Sequence, residues 1–139
     1  MPFLVSEFDI GRKGRYVSLG QVAVSSGQRK LKVDTTVLAG GPVLCVRGEV
    51  SLRTAPELRE LLLKSVQHST GTVRIDLSQV PFMDSSGVGT MVYVKRETER
   101  AGRRIVLVGL QPRVRGLFEI THLDKFFTIV QSADEANGS

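Results

Sequence analysis

Val73-Arg74-Ile75-Asp76-Leu77-Ser78-Gln79-Val80-Pro81-Phe82-Met83-Asp84-Ser85-Ser86-Gly87-Val88-Gly89 changes periodicity within a single short stretch. Val73 to Leu77 has the make-up of a β-strand, and Pro81 with the turn residues after it breaks the chain. Asp84, Ser85 and Ser86 are favourable helix N-cap types. The helix they open carries Val88, Met91 and Val92 as its apolar stripe and stops at Ala101-Gly102. A strand, a turn and a helix in that order form half of a crossover unit, so the question for the fold is whether the unit repeats.

It repeats on both sides. Downstream, Ile105-Val106-Leu107-Val108-Gly109 is an uninterrupted apolar run of strand length, as expected for a parallel strand covered on both faces. Gln111-Pro112 opens a third short helix with Val114, Leu117 and Phe118 inward, and Phe126 to Val130 makes a last strand. Upstream, Thr54-Ala55-Pro56-Glu57 has capping-box spacing. It starts a helix with Leu58, Leu61, Leu62 and Val66 on one side, which Ser69-Thr70-Gly71 stops. Before it, Leu31, Val33, Thr35 and Val37 alternate with polar residues as in an edge strand. Ala39-Gly40-Gly41-Pro42 turns the chain into a more buried strand, Val43 to Gly48, and so forms a hairpin. The order β-β-α-β-α-β-α-β predicts the α/β class, with a mixed, mostly parallel sheet and short right-handed crossover helices.

Residues 1–30 show no sustained period and predict a basic, loosely ordered extension, in which 16–24 could add an edge strand; residues 31–139 form the domain. The chain of 139 residues is 41% apolar and 24% charged, which suits one core and not two. Its net charge of +5 raises nucleic acid or an acidic partner as possibilities. The charge is unevenly placed, however. Arg12, Lys13, Arg15, Arg29 and Lys30 against Glu7 and Asp9 give the extension +3, while the other 14 basic and 12 acidic residues give +2. Direct nucleic-acid binding is not expected: the arginine pairs Arg103-Arg104 and Arg113/Arg115 lack aromatic interleaving and read as solvated cations. No apolar run approaches the roughly 18 residues of a membrane span, and the N-terminus has no secretory leader pattern. The single cysteine, Cys45, lies in an apolar run and reads as a buried thiol, which fits a reducing cytosol. A metal site is not expected, because Cys45, His68 and His122 share no ligand spacing.

The strand-to-helix junction at 82–89 is where chemistry concentrates. A helix start presents unsatisfied amides and positive potential, so a phosphate on an exposed serine there could accept hydrogen bonds from the first turn. A hydrolase elbow wants glycine two residues before the nucleophile, where Ser86 has Asp84. His68 at a helix end and His122 in a polar loop read as structural or exposed, not as its base. A dinucleotide loop fails because Val92 occupies the third glycine position.

Phe82-Met83-Asp84-Ser85-Ser86-Gly87-Val88-Gly89, following Val73 to Ser78, resembles the signature of STAS domains, specifically of bacterial anti-sigma-factor antagonists. Val46-Arg47-Gly48-Glu49-Val50, Thr54 to Leu58, Pro112-Arg113-Val114 and Leu117-Phe118 match the same family in the right order over about residues 31–133. The resemblance implies a partner-switching protein, not an enzyme, with no cofactor. The serine after the motif aspartate, here Ser85, would be phosphorylated by an anti-sigma factor that is also a serine kinase. The unphosphorylated form would bind that factor and free the sigma factor, and a phosphatase would reactivate the protein. Ser86 is the fallback acceptor. The partner-binding surface would comprise Glu49, Ser51, Met83, Asp84, Ser85, Ser86, Gly87 and Val88. The family often reads Gly-Glu-Leu-Asp where this chain has Gly48-Glu49-Val50-Ser51, so Ser51 removes one negative charge. The alternative is a STAS adaptor or scaffold of a stress-sensing assembly or of a transporter ATPase. An exposed first strand could also pair with the extension or with a second subunit in a homodimer.

Overall fold

The computed structural model describes residues 31–132. The extension, with its 16–24 strand reading, lies outside the described residues. Eight elements follow the expected order: β1 Lys32–Leu38, β2 Gly41–Arg47, α1 Ala55–Gln67, β3 Val73–Gln79, α2 Ser85–Arg100, β4 Ile105–Val108, α3 Pro112–Ile120 and β5 Thr128–Val130. The five strands lie in the sheet in sequence order. β1 and β2 pair antiparallel and all other neighbours pair parallel. The hairpin turn is tighter than the sequence implies, since β2 already begins at Gly41. That residue has φ 140° and backbone so close to Thr72 that a Cβ would meet the Thr72 carbonyl.

The three crossovers step across the sheet in the same direction. With the usual right-handed connection, this puts α1, α2 and α3 on one face. Ile75, Leu77, Ile105 and Leu107 point to that face and join Leu58, Leu62, Met91, Val94, Val114 and Phe118 in the main core. The stripe on α2 is longer than expected. It runs through Val88, Met91, Val94 and Thr98, while Val92 is only half-buried. Lys95 is buried too, its ammonium paired with Glu99 and 4.4 Å from the Phe126 ring centre.

Two local expectations are corrected. The Thr54–Glu57 capping box does not form. Thr54 is helical in conformation and its side chain makes no cap bond; its hydroxyl instead accepts from the Ser51 amide at 3.0 Å and donates to the Glu49 carbonyl at 3.1 Å. Thr54 thus closes the loop before α1. Arg103 is not a solvated cation. Its guanidinium donates to the carbonyls of Val66 (2.6 Å) and Gly71 (2.8 Å) and to the Ser69 hydroxyl (3.2 Å), clasping the C-terminus of α1 where a cation suits the helix dipole.

Candidate functional site

The site lies where the chain leaves the carboxyl ends of the parallel neighbours β2 and β3. Beyond Arg47 the two exits keep pairing. The Gly48 amide donates to Gln79, Val50 donates to Phe82 and Asp84 donates back to Val50, at 3.2, 3.0 and 3.0 Å. Val50 and Met83 form an isolated parallel bridge with both side chains buried. The loop after β2 is therefore fixed in register against the turn that starts α2.

Asp84 is the N-cap of α2, with extended backbone. Its Oδ1 accepts from the Ser86 amide at 2.9 Å and from the Ser86 hydroxyl at 2.6 Å. Its Oδ2 accepts from the Leu52 amide at 3.2 Å. The Ser86 hydroxyl, reinforced by the backbone amides, holds the Asp84 carboxyl below the usual carboxylate range. Asp84 is therefore a fixed negative charge that organises two segments.

Ser85 and Ser86 differ sharply. Ser85 is the first residue of α2, is exposed, and its hydroxyl has no hydrogen-bond partner among the described residues. Ser86 is half-buried with its hydroxyl committed to Asp84, and its carbonyl accepts from the Thr90 hydroxyl. Glu49 is exposed beside this surface. Ser51 is half-buried, and its hydroxyl accepts from the Arg53 amide, so it shapes the loop. Met83, Gly87 and Val88 lie beneath the surface, with Met83 and Val88 each 4% exposed. Gly87 holds the layers together by its size: a Cβ there would come within 2.8 Å of Val50 and closer still to the Met83 side chain.

Two residues at the surface escape sequence reasoning. Leu52 is 75% exposed at the tip of the loop that Asp84 tethers. Gly89, one turn after Ser85 on the exposed side of α2, has no atom within 4 Å of where a Cβ would stand. The glycine was a signal available in the motif, whereas nothing local marks Leu52 as outward-facing.

Two depressions, about 500 and 620 Å³, are lined by the hairpin turn with 68–71 and by the α1–α2 groove near Tyr93, and neither includes a site residue. His68 stands at the far end of α1, about 20 Å along the helix, with Nδ1 against the Lys64 carbonyl. A surface that presents Glu49, Leu52, Ser85 and Gly89 outward is suited to docking a macromolecule. No described helix is long and apolar enough to cross a membrane.

This fold, with a capped serine at the head of the second helix, defines a domain class. The STAS domain pattern matches residues 32–136, and the chain belongs to that family. It is 39% identical over 95 residues to the anti-sigma-B factor antagonist of Listeria monocytogenes, spanning 68% of this chain and 82% of that protein. An anti-sigma factor antagonist from Mycobacterium paratuberculosis superposes with TM-score 0.71 at 26% identity, over 82% of this chain and 97% of that one. The anti-sigma factor antagonist SpoIIAA in its unphosphorylated form superposes with TM-score 0.58 at 26% identity, over 68% and 83%.

Proposed function

We propose that this chain is a cytosolic anti-sigma-factor antagonist that docks an anti-sigma factor through the Ser85 surface and is switched off by phosphorylation of Ser85. The observation that carries the switch is the exposed, uncommitted Ser85 hydroxyl beside the fully engaged Asp84 carboxylate. The relatives' names and the likeness to SpoIIAA support the partner class. The kinase is the anti-sigma factor itself, and a phosphatase resets the protein.

The physical basis is electrostatic. A phosphoserine adds about −1.5 to −2 charges. The amides at the α2 N-terminus can tolerate that charge in the free protein. Both Asp84 oxygens already accept hydrogen bonds, so Asp84 offers the phosphate only repulsion. Docking would strip water from two adjacent negative groups. A coupling of about 3 kcal/mol, at the upper end of ordinary regulatory coupling, changes affinity about 150-fold.

The test is binding to a co-encoded kinase-type anti-sigma factor. Ser85→Ala should bind like the unmodified chain and Ser85→Glu at least tenfold more weakly. Incubation with that factor and ATP should add one phosphate to the peptide containing Ser85. Equal affinities for all three chains, or a phosphate found only on Ser86, would overturn the reading.

A further inference from the structure

The turn that Asp84 tethers also presents a cation. The Thr54 amide donates to the Ser51 carbonyl at 3.0 Å, so Leu52 and Arg53 are the two central residues of a closed turn. The Arg53 amide donates to the Ser51 hydroxyl at 3.3 Å, and the Leu52 amide donates to Asp84 Oδ2 at 3.2 Å. The backbone of Arg53 is thus fixed, while its side chain is exposed. Among the described residues its guanidinium has no ion pair, hydrogen bond or ring contact. The cations on the flanking elements are committed elsewhere. Arg47 at the end of β2 pairs with Asp34 on β1 at 4.0 Å, and Arg59 on α1 lies 5.0 Å from the Tyr93 ring centre.

Arg53 and Ser85 each stand one residue, about 3.8 Å of chain, from the hydrogen-bonded pair Leu52 and Asp84. The flexible stem of Arg53 bridges the remaining gap, and a phosphate on the exposed Ser85 hydroxyl would project into the same solvent. Building on Ser85 as the phosphoacceptor, we infer that Arg53 is the counterion of that phosphate. Its guanidinium folds onto the modified serine and donates two N–H groups to phosphate oxygens. Asp84 and the exposed Glu49 both oppose a phosphate there, and Arg53 offsets them in the free protein. The contact also draws the Leu52 turn across the serine. The off state is therefore held from within the chain, and an anti-sigma factor must break the contact in order to dock.

The test uses chains carrying phosphoserine at Ser85 through co-translational incorporation, so that no kinase is needed. By phosphorus NMR, the second ionisation of the phosphate in the unaltered chain should lie about half a pH unit or more below that in Arg53→Gln. Arg53→Lys should fall between them, because an ammonium lacks the bidentate fork. Glu49 and Asp84 are present in all three chains, so the difference reads Arg53 alone. Amide exchange at Leu52 to Thr54 should slow on phosphorylation of the unaltered chain but not of Arg53→Gln. The loss of affinity for the anti-sigma factor on phosphorylation should be smaller in Arg53→Gln by about threefold or more. Equal titration of the phosphate in the unaltered and Arg53→Gln chains would overturn the inference, as would an equal loss of affinity in the two. Either result would leave Ser85 as the switch. Equal affinities of the phosphorylated and unphosphorylated forms of the unaltered chain would instead overturn the switch itself.

Discussion

Asp84 Oδ2 accepts the backbone amide of Leu52 at 3.2 Å, across 32 residues of sequence, while the other oxygen of the same carboxylate caps α2. One side chain thus sets both the helix start that carries Ser85 and the loop tip that carries Leu52.

Asp84→Ala removes both functions and should cost about 1–2 kcal/mol in denaturant unfolding, as for loss of a good N-cap. Asp84→Asn separates them. Its amide oxygen can still accept from Ser86, but its NH2 group cannot accept from Leu52. Asn should therefore keep most of the stability, while amide exchange at Leu52 and Arg53 accelerates.

The depressed Asp84 pKa has a defined sign in stability. In the unfolded chain the carboxyl titrates near about 3.9, and folding lowers it. The stabilisation is present in full above the unfolded value and is lost as pH falls through the lower folded value. Thermal unfolding of the unaltered chain and of Asp84→Asn should converge as pH drops through that window. Parallel curves throughout would show that the charge contributes nothing.

Leu52 is exposed yet held by its own amide, so truncation should leave the domain intact. Leu52→Ala should change stability by less than about 0.5 kcal/mol. If the Ser85 surface docks the anti-sigma factor as proposed, affinity should fall about tenfold by calorimetry, because an exposed apolar side chain beside that surface loses its contact.

Gly87 and Gly89 should respond in opposite ways to the same change. Gly87→Ala drives a methyl into Met83 and Val50 and should destabilise by about 1–3 kcal/mol. Gly89→Ala meets open space in a helix interior and should stabilise the free protein by about 0.5–1 kcal/mol. The added methyl also sits one turn from Ser85, so the same substitution should weaken partner docking.

The order of elements was legible because each carries a clear hydrophobic period. Leu58, Leu62 and Val66 on α1 and the four-residue apolar run of β4 are buried as their spacing implies. Legibility failed where a side chain's partner lies far along the chain or outside its own element. Thr54 has the right spacing to cap α1, but the turn beginning at Ser51 takes its hydroxyl first. Arg103 looks like one of several surface cations, and only the packing of α1 against α2 brings three acceptors to it. Cys45 sits in an apolar run yet is half-buried, flanked in register by Asp34 and Asp76 of the neighbouring strands, which its own run does not reveal. The Ser85 junction was readable as chemistry, but the difference between Ser85 and Ser86 needed the geometry of the Asp84 carboxylate.

The sheet's spatial order repeats the order of synthesis. Each new strand adds to an edge already in place, and none must be inserted between earlier neighbours. β2, α1, β3 and the first turn of α2 are sufficient to assemble the capped serine and its tethered loop. On a ribosome extending the chain by about 5–20 residues per second, those parts emerge before β4, α3 and β5 do. The regulatory surface is thus built from consecutive, local pieces, and the C-terminal third acts afterwards as the buttress that makes it permanent.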